Sequence, residues 1–330
     1  MDVTPVWLMR QAGRSLPEYR KLRERWSLVE IVAQPELCAE VTLQPVKRLG
    51  VDAAVMFADI MLPLRGMGVE FELVENVGPV IANPVSTPAD VKELRVPAGD
   101  EAAPQVILAV RQVVAESAVP VICFAGAPFT LASYLIEGGP SRDFAKVKAF
   151  MYSEPAAFDM LLEKLSATMA AYLQAQVTAG AGAVQLFDSW VGALALEDYE
   201  ARVLPHTRSI FEALAPLRVP RIHFGTGTAG LLEAIASTGP DLVSLDWRVP
   251  LDRGWDRIGR DRGVQGNLDP AVLLGPPGLV RERAQDVLRR AGGHPGHIFN
   301  LGHGVLPMSP LENLQLLIDT VHQWDIARVA

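Results

Sequence analysis

Eight short apolar or β-branched runs, each leading into a helical stretch, recur along the chain, and this strand-then-helix repeat limits the fold more than any other feature. The runs fall at residues 5–9, 52–57, 119–124, 183–187, 221–224, 242–245, 263–266 and 297–301. Several are continuously apolar, as parallel strands covered on both faces must be. The stretches between them carry helix start and stop signals. Residues 36–49 stop at Gly50, residues 155–179 open on Pro155 and close at Gly180, and Ser309-Pro310-Leu311-Glu312 has the spacing of a capping box before a last helix. Eight such units predict an α/β fold, a (β/α)8 barrel of the TIM type, as a single domain over residues 1–330. The competing open doubly wound sheet requires a glycine-rich phosphate turn after its first strand, where this chain has Arg10-Gln11-Ala12-Gly13-Arg14. Residues 62–97 are too long for a simple turn and contain Pro, Gly and alternating Val and Glu, so an insertion with a hairpin beside the active face is expected there.

Bulk properties remove several function classes. At 330 residues, 49% of them apolar, the chain can bury a large core. A net charge of -8 argues against nucleic acid or an anionic membrane as the partner, and a polyanionic small molecule would need a local cluster of arginines acting against the global sign. The two cysteines, Cys38 and Cys123, lie far apart in apolar surroundings, which disfavours a disulfide framework or a cysteine-based zinc site. Nothing at the N-terminus has the order of a signal peptide, and Pro and charged residues interrupt every apolar run before membrane-spanning length. A soluble, cytoplasmic protein is expected.

In a barrel of this kind chemistry lies at the C-terminal ends of the strands, so polar residues that end an apolar run become candidates. Arg10 and Arg14 follow the first run and could bracket a carboxylate with their planar donor forks, Gly13 giving tight backbone passage between them. Alternatively, Arg10 pairs with a structural carboxylate and Arg14 and Arg20 face solvent. Asp59 ends the second run, where a carboxylate against an apolar wall needs a cationic or N–H partner; it could stabilise positive charge that appears during reaction, or serve as a turn or cap residue. Asp188 and Asp246 carry the same ambiguity, and a structural role is favoured for both. Tyr134 could offer its hydroxyl to a carboxylate or sit in the core, and Ser189 could donate a hydrogen bond or only cap a strand end. No Gly-x-Ser-x-Gly elbow is present, which disfavours nucleophilic serine chemistry. His303, between Gly302 and Gly304, is the best placed of six histidines to meet a ligand; the alternative is a ring bonded to loop carbonyls. No second His or Cys stands at metal-ligand spacing in its segment, so zinc bound through this residue is not expected.

These residues carry a resemblance. Pro5-Val6-Trp7-Leu8-Met9-Arg10-Gln11-Ala12-Gly13-Arg14 followed by Leu16-Pro17-Glu18-Tyr19-Arg20 resembles the first signature of the uroporphyrinogen decarboxylase family. Phe57-Ala58-Asp59-Ile60, Phe124-Ala125-Gly126-Ala127-Pro128-Phe129-Thr130-Leu131, Gln265-Gly266-Asn267-Leu268-Asp269-Pro270 and Asn300-Leu301-Gly302-His303-Gly304 resemble further family blocks in the same order, across nearly the whole chain. The resemblance implies a homodimeric barrel that removes carbon dioxide from the four acetate arms of uroporphyrinogen III, giving coproporphyrinogen III in haem biosynthesis, with no metal or organic cofactor. It implies Arg10 and Arg14 as carboxylate-binding residues with Gln11, Ala12 and Gly13 as the loop between them, and Asp59 as the residue that meets the pyrrole N–H groups. It makes Tyr134, Ser189 and His303 the further substrate contacts, and Asp59 and Arg10 the catalytic pair.

Two departures stand out. Ser15 occupies a position where the family pattern usually carries Tyr, from which only local repacking is expected. The chain begins four residues before the first signature, so an N-terminal extension is expected to be missing. Two other readings remain: a tetrapyrrole carrier without catalysis, and a zinc-dependent methyltransferase of the related barrel superfamily. The latter needs a His-x-Cys pair, and no His stands two residues before Cys38 or Cys123.

Overall fold

The computed structural model describes residues 3–75 and 77–325. Nine strands occur among them: β1 (Ala54–Val55), β2 (Phe71–Val74), β3 (Gly78–Ile81), β4 (Val121–Gly126), β5 (Ala183–Asp188), β6 (Arg221–Gly225), β7 (Leu242–Ser244), β8 (Gly263–Gln265) and β9 (His297–Ile298). Seven form one parallel sheet in the order β1-β4-β5-β6-β7-β8-β9, and β2 pairs antiparallel with β3 as a hairpin. Sequential neighbours in a parallel sheet require a crossover each time, and helices fill those crossovers. The sheet is curled: Val55, Ile122, Ile222, Phe224 and Trp7, from segments far apart in the strand order, pack in one apolar cluster on its concave side. The helices bury their apolar faces against the convex side.

Seven of the eight expected strands are therefore ladder-forming, and residues 5–9 make only a single parallel bridge, Val6 to Phe299. The reason is local. Pro5 has no N–H, and side chains take the donors that a neighbouring strand would otherwise receive. The Val6 N–H donates to the Asp52 carboxylate at 2.7 Å, that of Leu8 to the Gln11 side chain at 2.9 Å, and that of Met9 to the Asn300 side chain at 3.1 Å. Backbone contact persists on both sides, since Phe299 N–H donates to Pro5 at 2.8 Å and Asp52 N–H to Val6 at 2.9 Å.

Most helix boundaries follow the signals in the sequence. The helix Pro35–Leu49 ends at Gly50, whose φ of 69° favours glycine, and Pro155–Thr178 ends before Gly180. The capping box expected at Ser309 does not form. The last helix is Leu311–His322 with Pro310 as its N-cap residue, so Ser309 lies one position too early and its hydroxyl is buried without a partner among the described residues.

Candidate active site

A cavity of about 560 Å³ opens at the C-terminal ends of the sheet strands. All nine residues singled out in the sequence line it: Arg10, Gln11, Ala12, Gly13, Arg14, Asp59, Tyr134, Ser189 and His303. Phe124, Phe187 and Phe224, from three adjacent strands, form an apolar wall with ring centroids 5.2 and 5.6 Å apart in edge contacts.

The arginine loop is tied to the far end of the chain. Val305 N–H donates to Met9 at 2.8 Å, and Asn300 reaches Met9 from the other side. Arg10 adopts φ 60°, a left-handed conformation that costs a non-glycine residue roughly 1–2 kcal/mol and is held by these bonds. Its aliphatic stem lies directly on Gly304, where any Cβ would meet the Cβ, Cγ and Cδ of Arg10. The glycine after His303 is thus the seat of Arg10. Gln11 points inward: it is 1% exposed, its Oε1 accepts from Leu8 and its Nε2 donates to Ala53 at 2.9 Å, so its side chain braces the loop. Arg14 is exposed, and its carbonyl accepts from Arg20 at 2.9 Å.

Asp59 makes the expected turn contact and also lines the cavity. One carboxylate oxygen accepts from Met61 N–H at 2.9 Å, a turn contact, and its other oxygen takes no hydrogen bond from the described residues. The side chain is half-buried and lines the cavity. Burial pushes its pKa above the ordinary carboxylate range, while the Met61 N–H and the Arg10 charge pull it back. Such a carboxylate is short of donors, so a ligand that brings N–H groups or a positive charge relieves a standing cost.

Tyr134 projects from the helix Pro128–Glu137, its ring edge-on to Trp190 at 6.0 Å, and burial raises its pKa. Ser189 follows β5 and its carbonyl accepts from the Thr226 hydroxyl. The His303 Nδ1 accepts from Gly304 N–H at 2.7 Å, which places the ring proton on Nε2 of the neutral imidazole. Burial first, then the charges of Arg10 and Arg248, push its pKa down to about 4, so the ring is neutral at pH 7 and is a hydrogen-bond donor through Nε2. Ser15 also lines the cavity, with its hydroxyl buried and unpartnered among the described residues.

Asp188 and Asp246 are buried and engaged within the fold. Asp188 accepts from Thr130 at 2.8 Å, and Asp246 takes the Gly227 and Arg248 N–H groups and the Arg248 guanidinium. The apolar wall and Trp190 were not singled out in the sequence; alternation along β4 to β6 on the concave side was the available signal. Hairpin residues Val77, Gly78 and Pro79 also reach the cavity. Cys38 and Cys123 are buried free thiols, and burial pushes Cys38 up to about 12 and Cys123 higher still. Among the described residues no group of three or more His, Cys, Asp or Glu is gathered as a metal site. No helix among them is long and apolar enough to cross a membrane.

Known proteins share this framework. The uroporphyrinogen decarboxylase (URO-D) family model matches residues 1–324. The uroporphyrinogen decarboxylase of Carboxydothermus hydrogenoformans is 52% identical over 322 residues, covering 97% of this chain and 92% of that protein. A uroporphyrinogen decarboxylase of Thermus thermophilus is 55% identical over 319 residues, with 97% and 93% coverage. Among solved structures, a methyltransferase from Methanosarcina mazei superposes with a TM-score of 0.80 at 20% identity, covering 97% of this chain and 94% of that one, a likeness of fold alone. With the family match spanning residues 1–324 and relatives more than half identical along almost their entire length, this chain belongs to the uroporphyrinogen decarboxylase family.

Proposed function

We propose that this chain decarboxylates the four acetate arms of uroporphyrinogen III to methyl groups, giving coproporphyrinogen III in haem biosynthesis. The observation that carries this reading is the single cavity in which two arginines, a donor-starved carboxylate and a neutral histidine meet an apolar wall. Loss of carbon dioxide from an acetate leaves an electron pair on a methylene carbon, and the pyrrole is the group able to accept it. A proton added at the pyrrole α-carbon makes a cationic, iminium-like ring. The C–C bond to the carboxylate then breaks, and its electrons neutralise the ring as carbon dioxide leaves. A proton added to the exocyclic methylene makes the methyl group, and the α-proton departs, so each arm consumes one proton and releases one carbon dioxide.

Asp59 faces the pyrrole N–H groups and stabilises the cationic ring, because its second oxygen takes no donor from the described residues and burial in the cleft leaves its carboxyl poorly solvated. One preorganised charge of this kind is worth roughly 3–4 kcal/mol of barrier. Arg10 and Arg14, on the loop carrying Gln11, Ala12 and Gly13, hold carboxylate arms in register. Tyr134, Ser189 and the Nε2–H of His303 complete the polar contacts. Arginine is too weak an acid to be an efficient proton donor, so a water ordered by Arg10 is the better source.

The curled sheet and the segment at residues 5–9 together are read as a closed (β/α)8 barrel forming a single domain, with residues 62–97 as an insertion beside the mouth. The protein is proposed to act in the cytoplasm as a homodimer, without metal or organic cofactor. Incubation of the purified protein with uroporphyrinogen III under anaerobic, reducing conditions tests the activity, with products separated by chromatography after oxidation. Stepwise loss to four carboxylates is the expected result. Tight binding with no carboxylate lost would instead establish a carrier, and neither binding nor turnover would overturn the reading.

A further inference from the structure

We propose that Arg248 is an additional substrate-binding residue, receiving a carboxylate arm of a pyrrole ring that is not itself reacting; this rests on the tetrapyrrole reading above. Arg248 lies outside the cavity wall, in the turn that follows β7, at the same mouth-end of the sheet as every other candidate residue. Its turn is fixed from three sides. The Asn267 amide donates to the carbonyls of Asp246 at 2.8 Å and Val249 at 2.6 Å. Asp246, 2% exposed, accepts the Arg248 N–H at 2.9 Å and its Nη1 at 2.8 Å. Gly302 packs on the backbone of Asp246 and Trp247 so closely that no side chain fits there, which joins the turn to His303.

The guanidinium is then laid over the Trp247 ring, 4.0 Å from its centroid, with the side chain still 51% exposed. Only Nη1 is engaged, and the remaining donors take no partner among the described residues. A stacked, tethered guanidinium with free donors loses little freedom when a carboxylate arrives. Its charge also reaches the cavity, since with Arg10 it opposes protonation of His303. A substrate with eight carboxylates entering a chain of net charge -8 needs cations beyond the two of the first loop, and this turn, whose backbone packs on Gly302 while Arg10 packs on Gly304, supplies one.

The test compares wild type, Arg248→Gln and Arg248→Lys in turnover of uroporphyrinogen III at several salt concentrations. Arg248→Gln is expected to raise KM roughly three- to tenfold with kcat nearly kept, and to flatten the salt dependence of KM, while Arg248→Lys restores most of that dependence. A purely structural role through Asp246 would lower kcat and stability and leave the salt slope unchanged, and that result overturns the inference. A second measurement needs no variant: phenylglyoxal labelling of wild-type Arg248, followed by mass spectrometry, is expected to be suppressed by reduced coproporphyrinogen, which keeps four propionates. Labelling that is unaffected by bound product overturns the proposal while leaving the decarboxylase reading intact. Wild type that neither binds nor turns over the tetrapyrrole removes both.

Discussion

Gly304→Ala isolates one contact on which the site depends. Gly304 has no left-handed backbone requirement, so an alanine there is opposed only by what it would touch. An ideal Cβ lies 2.7 Å from the Arg10 Cγ and 3.1 Å from its Cβ, against about 3.5–4.0 Å for a comfortable carbon contact. These are the near atoms of the arginine, set by a backbone at φ 60° that Val305 and Asn300 hold in place, so the side chain cannot simply swing its tip aside. Either Arg10 moves by about an ångström or the loop shifts. The first costs on the order of a hundredfold in rate through misplacement of the group proposed to hold substrate, and the second costs roughly 1–3 kcal/mol of stability through overpacking. Steady-state kcat/KM with uroporphyrinogen III and urea unfolding read the two quantities separately. The decisive control is the same change in an Arg10→Ala background, where the clash with Cγ and Cδ is gone and alanine at 304 should cost little further activity or stability. A Gly304→Ala enzyme within twofold of wild type in both measurements, or a penalty that survives in the Arg10→Ala background, would refute the reasoning.

Asp59→Asn keeps the shape and the Met61 turn contact but removes the charge, so kcat should fall by roughly a hundred- to a thousandfold with KM changing little, measured under anaerobic conditions; a loss confined to KM would contradict the assigned role. Gln11→Leu leaves the Leu8 N–H and the Ala53 carbonyl without their side-chain partner in a buried site, which should cost about 2–4 kcal/mol in urea unfolding. Stability should also depend on pH through His297, which is 5% exposed and whose pKa burial pushes down to about 4. The unfolded chain takes up that proton near pH 6.5 and the folded chain resists it, so about 3 kcal/mol is lost as pH falls from roughly 6.5 to 4. His297→Gln should remove about half of the pH dependence that the two buried histidines give that window, since His303, held near the same value, keeps its share.

Much of the framework is written locally. Residues 121–126 and 183–188 read as strands because a parallel strand covered on both faces must be apolar along its length, and that property survives in the sequence without knowledge of neighbours. The candidate residues were legible for a related reason: Asp59, Ser189 and His303 interrupt such runs at their mouth ends, where a polar group has no packing purpose. Other assignments failed or were invisible because they depend on partners distant in the chain. Residues 5–9 have the composition of a strand, yet Asp52, Gln11 and Asn300 supply acceptors in place of a ladder, and Asn300 is 291 residues from Met9.

The sequence by itself therefore determined the alternation of strands and helices, the end of the sheet at which the cavity opens, and the polar residue types that line it, since all three follow from periodicity and from the cost of placing polar groups at the ends of apolar runs. Tertiary structure alone decided what those residues do to one another. It turned Gln11 inward to brace the loop and set Arg10 on Gly304, left one oxygen of Asp59 short of donors, put the ring proton of His303 on Nε2, and laid Arg248 over Trp247 beside the mouth. Each of these depends on the approach of segments that the chain separates by tens to hundreds of residues, and no local pattern records which segments will meet.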